Sequence, residues 1–385
     1  MECRPRAGSS SSCVGIMDRA IELEGSGADV IHLEKGEADL DTPAAVKERA
    51  VEALRHDHTR YTASAGLREL RDGVRDHYLR ACGVRIDPSL VFVTAGSSPA
   101  LLTLFLAALQ PGDEVILPDP CYPAYPKLVE AAGGRPVHVP TETTGFSLAA
   151  AAVEAALTPR TAAIVVNSPS NPAGAVVADA DLRAIARLGP LVVSDDVYRG
   201  LVFDGPEARC VLEHTDHAAI AGSFSKGFNM TGWRLGYSIV PERLAPRIRD
   251  LHENLFVSPN AFVQWAGVTA LERAESLLAD TREELRARRD RMLAGLARLG
   301  FDVPAVPRGG PYVFAKLPDR LLPTEAFARD LLEKAHVAVT PGGQFGPGSG
   351  AYVRFSCAAP AARIDEAMTR IDAFARTREL TEVRG

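Results

Sequence analysis

Apolar positions along the chain recur at two periods. Leu67, Leu70, Val74 and Tyr78 stand at helical spacing, whereas residues 90–94 form a short apolar run that stops at Ala95-Gly96-Ser97-Ser98. From about residue 45 the two patterns alternate. Strands are predicted at 90–94, 114–117, 136–139, 162–166, 191–193 and 218–221, with helical stretches at 99–109 and 179–188. Such alternation predicts an α/β domain with a mostly parallel sheet flanked by helices. Several runs end in small polar residues: Ser97-Ser98, Asn167-Ser168-Pro169-Ser170-Asn171-Pro172, Ser194-Asp195-Asp196 and Gly222-Ser223. Ligands of open α/β sheets bind outside the carboxyl ends of the strands, so these ends are where chemistry is expected.

The last hundred residues read differently. Leu285, Met292, Leu296 and Leu299 mark a helix, 311–317 a strand, Phe327, Leu331 and Leu332 a second helix, 351–356 another strand, and Ile364, Met368, Ile371 and Phe374 a closing helix. A smaller α+β domain follows. The expected organisation is a mobile Ser-, Arg- and Gly-rich segment at 1–13, a small domain from 14–45 together with 285–385, and a large domain at 46–284. No repeat or linker-like stretch separates them, so the two domains are expected to share a surface.

Composition narrows the function classes. Hydrophobic residues are 46% and charged residues 24% of the 385, ordinary for a globular protein. A formal net charge of −6 and a sequence pI of about 5.9 advertise no basic face, so no nucleic-acid partner is expected. Cys3, Cys13, Cys82, Cys121, Cys210 and Cys357 form no CxxC pair and have no His at metal-ligand spacing, which predicts free thiols and no metal site. The polar N-terminus lacks the apolar stretch of a secretory signal, and no run is long enough to span a bilayer. A cytoplasmic protein without a membrane partner is the expectation.

Six short motifs carry the chemistry: Thr94-Ala95-Gly96-Ser97-Ser98, Asn171-Pro172, Asp195-Asp196-Val197-Tyr198, Ser223-Phe224-Ser225-Lys226, Gly232-Trp233-Arg234-Leu235-Gly236-Tyr237 and Tyr352-Val353-Arg354-Phe355-Ser356. Each alone is weak, since Asn-Pro marks turns and Ser or Asp caps helices without any ligand. In this order and spacing they resemble the fold type I, pyridoxal phosphate-dependent aminotransferases of class I/II, over roughly residues 16–374. The resemblance implies a seven-stranded, mostly parallel central sheet in the large domain. It also implies transfer of an amino group between an L-amino acid and a 2-oxo acid, and a homodimer.

It further implies a role for each residue. Lys226 carries the cofactor as a Schiff base and then moves a proton; an imine-forming amine needs some neutral population, which a partly desolvated site favours. Asp195, selected over Asp196 by the Asp-x-x-Tyr pattern, pairs with the ring N–H. Asn171 and Tyr198 hydrogen-bond the phenolic oxygen. Ser97, Ser98, Ser223 and Arg234 hold the phosphate, the first two at a helix start whose free N–H groups suit an anion. Arg234 lies among residues too apolar for an ordinary exposed arginine. Tyr61 reaches the phosphate of the neighbouring subunit. Tyr122 stacks on the ring, with Tyr125 as competitor. Arg354 and the Gly36 N–H take the substrate α-carboxylate, which a planar guanidinium fits with two parallel bonds.

Two departures bear on the substrate. Lys35 stands where the family has a small or apolar residue. Turned to solvent it is inert; turned inward it would suit an acidic side chain. Gly309-Gly310-Pro311-Tyr312 lacks an aromatic residue usual in that turn, which would open the pocket. The scaffold also supports lyase, decarboxylase or cyclase chemistry, because one cofactor carbanion feeds them all. A ligand-sensing regulator on this domain would need a DNA-binding segment, and about 13 residues ahead of the domain are too few for one.

Overall fold

The computed structural model describes residues 13–321 and 323–382. Of the expected mobile segment at 1–13, only Cys13 lies within the described residues, as the first residue of a helix. Helix α1 (Cys13–Gly25) leads to strand β1 (Ile31–His32), then to α2 (Ala44–Arg55) and α3 (Arg68–Cys82). Next come β2 (Val91–Thr94), α4 (Ser97–Ala108), β3 (Glu114–Asp119), α5 (Ala124–Ala131), β4 (Arg135–Pro140), α6 (Ala150–Ala155), β5 (Thr161–Asn167), α7 (Asp179–Ile185), β6 (Leu191–Asp195), β7 (Ala218–Ser223) and β8 (Gly236–Ile239). The chain closes with α8 (Ala245–Leu255), α9 (Ala261–Glu272), α10 (Ala274–Arg298), β9 (Tyr312–Lys316), α11 (Thr324–Ala335), β10 (Val337–Ala338), β11 (Thr340–Pro341), β12 (Tyr352–Ser356) and α12 (Ala361–Glu382).

Strands β2 to β8 form one seven-stranded sheet in the order β2-β8-β7-β6-β5-β3-β4. Only β8 runs against its neighbours. Its inner strands read as unbroken apolar runs because both faces are covered. Ile116, Ile164, Val192 and Ile220 face one hydrophobic core; Val115, Val165, Val193 and Ala219 face the other. Strand polarity brings the carboxyl ends of β2, β3, β5, β6 and β7 to one edge, where the polar motifs follow. The six strands expected from the pattern are all present, and β8 is the seventh.

A separate core gathers Ile31 and Leu33 from the N-terminal side with Met292, Phe327, Val353, Phe355, Ile371 and Phe374. There β1 pairs in parallel with β10, and β11-β12-β9 form an antiparallel sheet. The expected boundary between residues 284 and 285 falls inside α10, one continuous helix of 25 residues. Leu285 packs with Tyr198, Leu201 and Tyr312, while Met292 and Leu296 enter the second core, so a single helix serves both sides.

Candidate active site

A cavity of about 570 Å³ opens at the strand-end edge, and an adjoining one of about 750 Å³ shares Gly36 and Lys226 with it. Lys226 follows β7 after a tight turn, and its Nζ donates to the Gly36 carbonyl at 2.9 Å. Asp195 ends β6 and is 3% exposed. Its Oδ2 accepts from the Tyr125 hydroxyl at 2.7 Å and its Oδ1 from the Val197 N–H at 3.2 Å. Burial is the main cause that lifts its carboxyl from the usual 3.8 to about 6, against the pull of those two bonds. No described cation pairs with it. Asp196 turns into a different cavity, where it accepts from Tyr78 and Ser194.

Asn171 and Arg354 meet across the cavity, Nη1 to Oδ1 at 3.1 Å. The Arg354 guanidinium is 5% exposed, and its Cζ sits 4.2 Å from the centre of the Tyr312 ring and 5.0 Å from that of Phe345. Its Nη2 donates to the Glu34 carbonyl and to Thr340 Oγ1, and its Nε is buried with no acceptor. Tyr198 donates to the Tyr312 hydroxyl at 3.3 Å, and burial pushes its own hydroxyl well above the ordinary range. Gly36 faces Tyr312 so closely that a Cβ there would lie 1.9 Å from the phenolic oxygen.

Backbone geometry sets the turn that enters α4. Gly96, with φ +100, turns the chain from β2 into α4, placing Ser97 and Ser98 in its first turn against the cavity. A Cβ on Gly96 would come within 2.6 Å of Arg234 Nη2. Arg234 lines the adjoining cavity with Lys226 and donates to Thr231 O at 2.8 Å. It is exposed, contrary to the expectation from its apolar neighbours. Those neighbours turn away: Leu235 enters the core and Trp233 donates its Nε1–H to Thr42.

Lys35, Gly36, Ser97, Ser98, Tyr122, Asn171, Asp195, Tyr198, Lys226 and Arg354 thus line one cavity. Ser223 does not join them. Its Oγ accepts from the Ser225 N–H at 3.1 Å and it lines the cavity of Asp196, while Ser225 lines the one beside Lys226 and Arg234. Tyr61 lies apart, 86% exposed beside His58 and Trp265. Tyr122 and Tyr125 divide the expected aromatic position: Tyr122 lines the cavity wall, and Tyr125, edge-on to it, is buried against Asp195. Tyr312 was singled out only as part of a departing turn, yet it floors the Arg354 site; the strand-like run at 311–317 was the signal. Among the described residues no His, Cys, Asp and Glu cluster could hold a metal ion.

This donor set fits pyridoxal phosphate. A buried carboxylate without a cation suits a ring N–H, a helix start and an arginine suit a phosphate, and an amine stands between them. The family model for aminotransferase class I and II matches residues 28–371. The probable aspartate/prephenate aminotransferase of Thermus aquaticus is 38% identical over 368 residues, which is 94% of this chain and 95% of that protein. Aromatic-amino-acid aminotransferase 2 of Thermococcus litoralis is 33% identical over 95% of both. The solved aspartate aminotransferase of Thermus thermophilus with maleate superposes with a TM-score of 0.90 at 36% identity, covering 97% of this chain and all of that one (100%).

Proposed function

From the premise that this chain belongs to the class I and II aminotransferases, pyridoxal phosphate-dependent enzymes that transfer an amino group between an amino acid and a 2-oxo acid, we propose how its residues divide that work. Pyridoxal phosphate, when bound, supplies an aldehyde carbon and an electron-accepting ring. Lys226 Nζ would hold the aldehyde carbon and, once displaced by substrate, would carry the proton from the substrate Cα to that carbon. Asp195 keeps a proton on the ring nitrogen; its burial without a cation is the observation that carries this reading. Asn171 and Tyr198 donate to the phenolic oxygen, Tyr122 covers the ring face, and Ser97, Ser98 and Arg234 receive the phosphate, with Ser225 in place of the expected Ser223 on the turn beside Lys226. Arg354 and the Gly36 N–H orient the substrate α-carboxylate, and the orphaned Arg354 Nε supports an anion at that point.

A division into a large part, about 46–284, and a small one, 14–45 with 285–385, is supported by the separate core of the small part, although α10 runs across the boundary. Substrate would then bridge them, Asn171 from one side and Arg354 from the other, and exclude water. A homodimer is supported by Tyr61 and by exposed Leu255 and Val257, whose loop is tied to the Tyr61 segment by the Thr62 N–H to Ser258 Oγ bond of 2.8 Å. No described helix is long and apolar enough to cross a membrane, and we place the enzyme in the cytoplasm. Lys35 and Lys127 line the cavity with Glu34 and Glu325, so its charge favours no single donor class. The relatives' names make aspartate, prephenate and aromatic amino acids the first compounds to screen.

The test is a single half-reaction. An L-amino acid added alone should convert the cofactor to its amine form and release one equivalent of 2-oxo acid per subunit. Lys226→Ala should retain cofactor only non-covalently and slow this step by about 10²–10⁴-fold. Unchanged turnover in that variant overturns the assignment; release of a substrate fragment instead of a 2-oxo acid turns it to lyase chemistry.

A further inference from the structure

Asp196, on the far side of the β6 end from Asp195, helps line a cavity of about 370 Å³ next to α3 and the start of α10. Arg199 is one of its lining residues. The side chain is 10% exposed and stacks over the Tyr78 ring, Cζ to centroid 5.2 Å. Its Nε is buried without a hydrogen-bond partner, and the nearest acid, Asp196 Oδ2, is 4.0 Å away. That carboxylate, ion-paired with Arg199 at this distance, also accepts from the Tyr78 hydroxyl at 3.0 Å and Ser194 Oγ at 2.6 Å. Among the described residues none accepts a hydrogen bond from this guanidinium.

A buried donor left unpaired costs about 1–3 kcal/mol, more for a charged group. Lysine or histidine could shed the charge; arginine keeps it, so the group needs an acceptor. Two further guanidinium groups, Arg80 and Arg282, stand along the same cavity. The acids there besides Asp196, Glu207 and Glu275, are exposed, so water screens them. Phe228, Leu271 and Leu278 add apolar side chains to the lining. A flat fork together with these apolar side chains suits a flat oxyanion with a short hydrocarbon body.

We propose that this cavity is a second binding site, separate from the substrate cavity, for a small monocarboxylate with an apolar body, anchored by Arg199. Isothermal titration of the cofactor-loaded enzyme with isocaproate tests it, because the cofactor's visible band reports any occupancy of the substrate cavity. Expected is a saturable binding step that leaves the band unmoved, lost or weakened about tenfold or more in Arg199→Gln. Should that variant fail to fold, the Arg80→Ala/Arg282→Ala double variant is expected to weaken the same step severalfold. The proposal fails if every binding step moves the band, if the silent step keeps its affinity in these variants, or if inorganic phosphate binds there as tightly as isocaproate.

Discussion

Asp195 and Asp196 are neighbours in the chain with opposite surroundings, and the difference has a measurable consequence. Asp195 is buried with two hydrogen bonds and no cation, and its carboxyl lies near 6 rather than 3.8. Below about pH 4 the carboxyl is protonated folded or unfolded and costs nothing. As the pH rises through 6 the folded protein must ionise it in a dry site, and stability present at low pH is lost. Carrying the carboxyl from 3.8 to about 6 corresponds to on the order of 3 kcal/mol. In cofactor-free protein Asp195→Asn is therefore expected to raise the unfolding midpoint at pH 8 by several degrees and to leave it nearly unchanged at pH 4. Calorimetry at the two pH values decides this, and equal shifts at both would contradict it. Asp195 was legible in the sequence through the family resemblance, whose Asp-x-x-Tyr pattern selects it over Asp196. Tyr125 as its partner was not legible. Two tyrosines three apart on one turn are equivalent until packing shows which is buried.

Strand β8 shows what a pattern of hydrophobic positions misses. Gly236-Tyr237-Ser238-Ile239 is four residues long, begins with glycine and continues a motif read for its arginine, so nothing in its periodicity announced a strand. The longer strands were legible to within a few residues because both their faces are apolar. The reason for Gly236 is spatial. A Cβ there would lie 2.6 Å from the Gly96 carbonyl carbon and 2.8 Å from Gly222 O, backbone atoms of the strand-end turns on either side. Neither can yield without moving the turn that starts α4. Gly236→Ala is expected to cost about 1–3 kcal/mol by overpacking. It should also loosen cofactor binding, because the displaced turn carries Ser97 and Ser98. Gly232→Ala, where nothing lies within 4 Å of the added atom, is the control and should change neither. Urea midpoints and cofactor release, measured together, separate the two effects; a stable Gly236→Ala with native cofactor affinity would show that the turns are slack.

At the scale of the whole molecule, Tyr61, proposed to serve the phosphate end, lines neither active-site cavity of its own chain. Tyr61 stands 86% exposed and away from Lys226, with its neighbour Thr62 anchored to Ser258 and held in place rather than loose. A large aromatic side chain costs free energy when left in water, and here it adjoins the exposed Leu255 and Val257 segment. A two-fold dimer would cover the patch and carry each Tyr61 toward the partner's phosphate end. The arrangement predicts complementation. Lys226→Ala protein lacks the amine but presents a sound Tyr61; Tyr61→Ala protein has the amine but offers its partner no phenol. Mixed in equal amounts and allowed to reassort, half the dimers become hybrids, each with one fully native site, so at limiting cofactor activity should return to about a quarter of wild type. Each variant alone should stay well below that. If Tyr61 served its own chain's site, hybrids would hold no native site and mixing would add nothing, a result that would leave the half-reaction chemistry standing while removing the shared active site.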